Sequence, residues 1–407
     1  MHILFLTDNF PPEINAPATR TIEHCELWVN EGHEVTVITC APNFPKGILF
    51  KGYKNNLYAT ENIRGIKVIR VWTYIASNSG TVKRIADYMS FMLAAFFAGL
   101  FVKKIDIIIA TSPQFFTTWA AAALSKVKRR PWIFELRDIW PESIVAVGAL
   151  RHGLIIKFLE KIELMLYESA TKIVSVTGSF KKNLVARGVS SEKICTVMNG
   201  VDLEAFQPTP LSLSLREYYH IHTPFLVGYI GTHGLAHGLQ SILEAASLAQ
   251  EDGLLADIGF LFLGEGEKKE WLKSISESLE LRNVFFIDAV KKEDIAEHIA
   301  MLDAAIVHLR SSNLFRSVIP SKIFEFMAMG IPIIHCVEGE SATIVCESGA
   351  GLLLPPEQPV EILNAIKSLR DNPELKSKLA KQGVAAAPRY DRNAMAMQML
   401  EHIKACI

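Results

Sequence analysis

No two of the six cysteines stand in CxxC spacing: Cys25, Cys40, Cys195, Cys336, Cys346 and Cys406 are scattered along 407 residues. That pattern offers neither a zinc site nor a disulfide framework, and reduced thiols in a cytoplasm fit it best. Low-complexity tracts are missing and half of the residues are apolar, which excludes disorder as the bulk state. The lack of a short-period repeat excludes a solenoid. Met1 to Leu6 carries no basic leader and turns polar at Thr7 and Asp8, so it reads as a first strand and not as a secretory signal. No G-x-G-x-x-G follows that strand, since Thr7–Ala16 contains no glycine, which disfavours a nicotinamide dehydrogenase. The longest apolar stretch, Tyr88 to Val102, falls short of the roughly 20 residues of a bilayer span.

That stretch has basic flanks, Lys83 and Arg84 before it, Lys103 and Lys104 after it, with Lys126, Lys128, Arg129 and Arg130 further on. An interfacial helix and a buried core helix both fit. Formal charge is also uneven. Residues 1–205 hold 24 Lys and Arg against 18 Asp and Glu, and the remainder holds 18 against 25. A basic half can meet an anionic membrane, and scattered solvated lysines account for the excess equally well; no nucleic-acid partner is expected.

The length calls for two cores. In the first half, strand-like runs (Ile3–Thr7, Glu34–Thr39, Lys67–Val71, Ile105–Ala110, Pro131–Leu136, Lys172–Val176, Lys193–Val197) alternate with helical patterns such as Thr19–Asn30 and Phe116–Lys126. The segment Leu203 to Thr223, bearing Pro208 and Pro210, reads as a connection. A second series then runs from strand Phe225–Ile230 through helices Lys292–Met301 and Ser321–Met329 to strand Pro332–Ile334. The expected fold class is therefore α/β, with two Rossmann-like doubly wound domains facing across a cleft. Residues 1–205 form the first and 206–387 the second, and a terminal helix over 388–407 packs back on the first.

The most informative segment runs from Ile319 to Pro332. Pro320 and Ser321 can open a helix, Gly330 can end it and Pro332 stops its continuation. The helix N-terminus favours an anion such as a diphosphate, with Lys322 adding charge in the first turn, and Glu325 one turn on could accept both hydroxyls of a ribose. Equally, Glu325 could simply stabilise the positive helix end while Lys322 stays solvated. Gly231-Thr232-His233-Gly234-Leu235-Ala236-His237-Gly238 can bring backbone N–H groups to phosphates, and Gly264-Glu265-Gly266 could do the same or form a tight turn. In the first half, Arg137-Asp138-Ile139-Trp140-Pro141-Glu142-Ser143 follows an apolar strand. Asp138 and Glu142 could orient or deprotonate an acceptor hydroxyl, or one of them could pair with Arg137. Glu13, Ala16 and Arg20, in the loop after the first strand, could line the acceptor side.

The Ile319–Pro332 segment, with Val227–Gly231, Phe262–Gly266, Val284–Phe286, Asp303–His308 and Gly349–Pro356, resembles the C-terminal domain of the retaining GT-B glycosyltransferases of family four. Asp8–Glu13, Ala16–Arg20, Arg137–Ser143 and Asn199–Asp202 resemble its bacterial surface-polysaccharide branch, and the O-antigen N-acetyl-L-fucosaminyltransferases look most similar. The resemblance implies a UDP-sugar donor without an obligatory metal or cofactor, and a lipid-linked saccharide acceptor at the inner membrane face. It puts Glu325 on the donor ribose, with Ser321 beside the nucleotide, and has the base read through backbone groups at Asp288-Ala289-Val290, with Val290 as the hydrogen-bonding candidate. The family's second glutamate, on the transferred sugar, is here Ser317, and its usual Arg and Lys near the first C-domain strand are Thr232 and His237. Arg316 and Lys322 are the candidates to replace that diphosphate clamp, and Arg316 could equally be an ordinary surface arginine. A UDP-sugar epimerase of the same shape and a catalytically silent sugar-nucleotide-binding scaffold are the rival readings.

Overall fold

The computed structural model describes residues 1–44, 47–76, 81–112, 115–140 and 153–407. The chain forms two compact units, Met1–Asn199 with Asn393–Ile407, and Gly200–Arg392. The sequence reading divides the chain after 205 and 387; the units part at 199/200 and 392/393.

Unit 1 is built on β1 (His2–Leu6), β2 (Glu34–Cys40), β3 (Tyr58–Ile63), β4 (Ile66–Val71), β5 (Ile107–Thr111), β6 (Trp132–Leu136), β7 (Lys172–Ser175) and β8 (Ile194–Thr196). Their order across the sheet is β3-β4-β2-β1-β5-β6-β7-β8. The central strands are apolar on both faces because both faces are covered. Leu4 and Leu6 point into one core with the helices Thr81–Phe101, Phe115–Lys128 and Leu154–Ser169. Ile3 and Phe5 point into the other, against Ala16–Asn30 and the returning helix Arg392–Lys404, whose Met399, Leu400 and Ile403 are fully buried. Asn15 caps the first of these helices by accepting a hydrogen bond from Ala18 N at 2.9 Å.

Unit 2 has β9 (Phe225–Ile230), β10 (Ile258–Leu263), β11 (Val284–Ile287), β12 (Ala304–His308), β13 (Ile333–Cys336) and β14 (Gly351–Leu353), all parallel, in the order β11-β10-β9-β12-β13-β14. Winding reverses between β9 and β12, which makes the carboxyl edge of the sheet at these two strands its topological switch point.

Three elements differ from the sequence reading. β3 is antiparallel to β4, joined by Arg64 and Gly65, both at positive φ. Its residues alternate between exposed and half-buried, so no hydrophobic run marks it. The supposed connection Leu203–Thr223 belongs to unit 2 and contains the helix Leu213–Tyr218, whose buried Arg216 pairs with Asp303 at 2.7 Å. Where a single helix is expected over Lys292–Met301, a 3₁₀ turn, Lys292–Asp294, leads into a short helix, Ile295–Ile299.

Candidate active site

At the switch point of unit 2 the chain after β12 makes a 3₁₀ turn, Phe315–Ser317, and then the helix Lys322–Met329, which ends on Gly330 in the left-handed conformation. Ile323, Phe324, Phe326, Met327, Ala328 and Met329 are buried, so the helix is fixed by its apolar residues. The two polar ones, Lys322 and Glu325, remain partly exposed and join on one side, Nζ to Oε2 at 2.7 Å. Ser321 is the N-cap residue at the helix entrance. Lys322 and Glu325 are thus a preformed pair in which each holds the charge that the other would give to a ligand.

The turn before the helix is held by backbone contact. A Cβ on Gly339 would lie 2.0 Å from the Arg316 carbonyl oxygen, and Gly339 sits at φ 87°. The Arg316 guanidinium is left exposed, 3.8 Å from the Glu338 carboxylate. Ser317 turns its hydroxyl back onto Leu314 O at 2.6 Å.

Across the switch point, the loop after β9 is stitched to the loop after β10. Gly231 N donates to Leu263 O at 2.9 Å and His233 N to Glu265 O at 2.8 Å. A Cβ on Gly264, at φ 144°, would lie 1.9 Å from Gly231 O, so the turn and the phosphate-loop readings of that glycine describe one close packing of backbones. Thr232 is exposed, and its carbonyl accepts from the Tyr229 hydroxyl at 2.9 Å.

The His233 side chain corrects the sequence expectation. It is fully buried among Tyr229 and Phe262, and burial, with help from the Lys269 charge, pushes its pKa down to about 4. It is a neutral core residue with no surface to offer a ligand. His237 is half-buried and also pushed down to about 4, by burial and then by His308.

His308, the last residue of β12, was not foreseen. Its Nε2 accepts from Glu357 N at 3.0 Å, which leaves Nδ1 to donate to His237 O at 2.7 Å, so one neutral tautomer ties the β9 loop to β12. The signal available was a polar residue closing an otherwise apolar strand. Val290 lies three residues beyond the end of β11, half-buried, after Asp288 and Ala289. Gly231, Thr232, His237, Gly264, Val290, Arg316, Ser317, Ser321, Lys322 and Glu325 therefore all lie at the carboxyl edge of one sheet.

In unit 1, Arg137 and Asp138 follow β6, and their N–H groups donate to Ser112 Oγ at 2.8 and 3.2 Å. Burial lowers Arg137 to about 10 even with Glu135 nearby. Glu142 lies outside the described residues. Ala16 is exposed at the start of its helix. Glu13 and Arg20 prove to be internal ties and not groups offered to a ligand. Glu13 Oε1 accepts from the N–H groups of Asn43 and Phe44 at 2.8 and 2.9 Å, and burial raises its pKa. Buried Arg20 pairs with Glu135 at 2.9 Å and donates to the carbonyls of Val197 and Met198.

Residues 18–205 match the family described as Glycosyltransferase Family 4, and residues 215–385 match that described as Glycosyl transferases group 1. The chain is a GT-B glycosyltransferase. The transferase is 24% identical over 375 residues to Escherichia coli K12 WcaI, named as a candidate colanic acid biosynthesis glycosyl transferase, covering 90% of this chain and 91% of that one. Among solved structures it resembles the sucrose-phosphate synthase of Thermosynechococcus elongatus, with a TM-score of 0.77, 17% identity, and 99% and 98% of the two chains covered. It also resembles Anabaena HepE in complex with UDP-glucose, with a TM-score of 0.75, 18% identity and both chains covered in full. At these identities the two structures speak for the fold alone.

Proposed function

We propose that this glycosyltransferase moves a sugar, with retention at the anomeric carbon, from a UDP-sugar to a polyprenyl-diphosphate-linked saccharide in the assembly of a bacterial O-antigen or capsule. The observation that carries the reading is the Lys322–Glu325 pair, the polar opening of an otherwise buried helix at the switch point of unit 2. When a nucleotide enters, the backbone at Val290 after β11 meets the base, and Glu325 accepts the ribose hydroxyls and leaves Lys322 to face the diphosphate, joined by the exposed Arg316 and the backbone of the Gly231–Gly238 loop. The bond between the anomeric carbon and the diphosphate breaks, the acceptor oxygen bonds to that carbon on the same face, and the acceptor proton passes to the leaving phosphate of UDP. Asp138 orients the acceptor hydroxyl. No obligatory metal is part of this scheme.

We place the enzyme on the cytoplasmic face of the plasma membrane as a peripheral protein. The helix Thr81–Phe101 supports this: Ile85, Met89, Leu93, Phe97 and Phe101 recur every fourth residue and are all exposed, with Lys83, Arg84, Lys103 and Lys104 near its ends. N-acetyl-L-fucosamine is the first sugar to test. The experiment is a UDP-sugar panel screened by thermal shift, then mass spectrometry of lipid-linked products. We expect one donor to stabilise the protein and to add one sugar to the acceptor. Conversion of that donor without any acceptor would mean an epimerase, and binding with no turnover across acceptor lysates would mean a silent scaffold.

A further inference from the structure

The helix Lys269–Ser278 begins with a lysine whose side chain is only 3% exposed, and the reading of the donor site gives that lysine no task. Burying an ammonium is costly unless its hydrogen bonds are met. Here they are met by two carboxylates from different loops: Lys269 Nζ donates to Glu265 Oε1 at 2.7 Å and to Asp288 Oδ1 at 2.5 Å. Glu265 lies in the turn after β10, and Asp288 is the first residue after β11. The Glu265 carboxylate also accepts the N–H of Ala289, and the Glu265 carbonyl accepts from His233 N at 2.8 Å. One buried cation therefore joins the ends of β10 and β11, and through Glu265 the loop after β9. Burial pulls the Lys269 ammonium down, but the hydrogen bonds to Asp288 and Glu265 outweigh it and leave the group above its ordinary pKa. His233 beside it stays neutral, and Lys273 is the other cation nearby.

The structure assigns Lys269 the role of a positioning residue for nucleobase selection: by fixing Asp288 and Ala289 it sets where the backbone at Val290 meets the base. This rests on the donor reading above, in which the end of β11 reads the base. Stability is a poor account of the arrangement. The partner side chains are 58% and 83% exposed, so they regain water readily when the cation is removed.

The test is isothermal titration of the intact protein with UDP, ADP and GDP. Lys269→Met, which keeps the buried stem and drops the charge, is expected to stay folded and to bind UDP about tenfold more weakly, with its preference for UDP over ADP and GDP falling by a similar factor. Asp288→Asn removes one of the two ties and should show a smaller loss in the same direction, and Lys269→Arg should recover part of it. Unchanged UDP affinity and unchanged base ranking in folded Lys269→Met would overturn the inference while leaving the donor reading intact. A wild-type protein that binds none of the three nucleotides would remove the donor reading itself.

Discussion

Glu325 and Lys322 hold each other at 2.7 Å before any nucleotide arrives, so removing either one changes what the other can do. Glu325→Gln keeps a hydrogen-bonding group but loses the charge. We expect the donor KM to rise by about tenfold or more with the acceptor KM unchanged, a split that steady-state kinetics resolves. Lys322→Ala should instead lower kcat, because the diphosphate gains charge as it leaves. At this scale the sequence was informative where chemistry follows from position along one helix: Pro320, Glu325 and Gly330 are separated by turns of a single element. It was silent where partners come from distant segments. Lys269 meets Asp288 nineteen positions away, and His308 meets Glu357 forty-nine away. Glu13 and Arg20 misled for the same reason. A polar residue in a loop after a strand looks available until burial shows its partners.

The helix Thr81–Phe101 left two readings open, interfacial or buried; one side of it is buried and the other is exposed. Phe91, Ala95 and Ala98 are buried, and Gly99 abuts Leu124 so closely that a Cβ there would come within 2.5 Å of its side chain. The opposite side carries the exposed apolar stripe. By length and composition Lys83–Phe101 is long and apolar enough to cross a membrane, yet its inner face is part of the core of unit 1. Periodicity finds such a helix, but it cannot tell a face covered by protein from one left bare, because both are apolar. Wild-type protein should float with anionic liposomes at low salt, and Leu93→Glu with Phe97→Glu should abolish that while leaving the melting temperature within a few degrees, since both side chains are more than half exposed. No attraction of the wild type to those liposomes would sink the peripheral placement. The hairpin of β3 with β4 escaped notice for a related reason: its strand faces solvent, and only Arg64-Gly65 marked the turn.

Across the whole molecule, the two units should respond differently to acid. His233 and His335, both in unit 2 and both fully buried, are pushed by burial from the ordinary histidine value to about 4. Unfolding lets them take up protons at their ordinary pKa. Their contribution, up to about 3 kcal/mol apiece, is therefore present above pH 6.5 and lost as pH falls toward 4. Calorimetry over that range should show the unit 2 transition moving to lower temperature, and replacing His335 by leucine should flatten the dependence. The division into two α/β domains was legible because the strand–helix alternation runs twice. The chain's return was legible as a terminal helix over 388–407 that packs back on the first domain. That return shapes how the protein is made. Unit 2 is continuous in sequence, whereas unit 1 needs Met399, Leu400 and Ile403 to cover Ile3 and Phe5. On the ribosome the second domain can close as soon as it emerges, while the first, although synthesised earlier, keeps part of one face of its sheet bare until Arg392–Lys404 arrives.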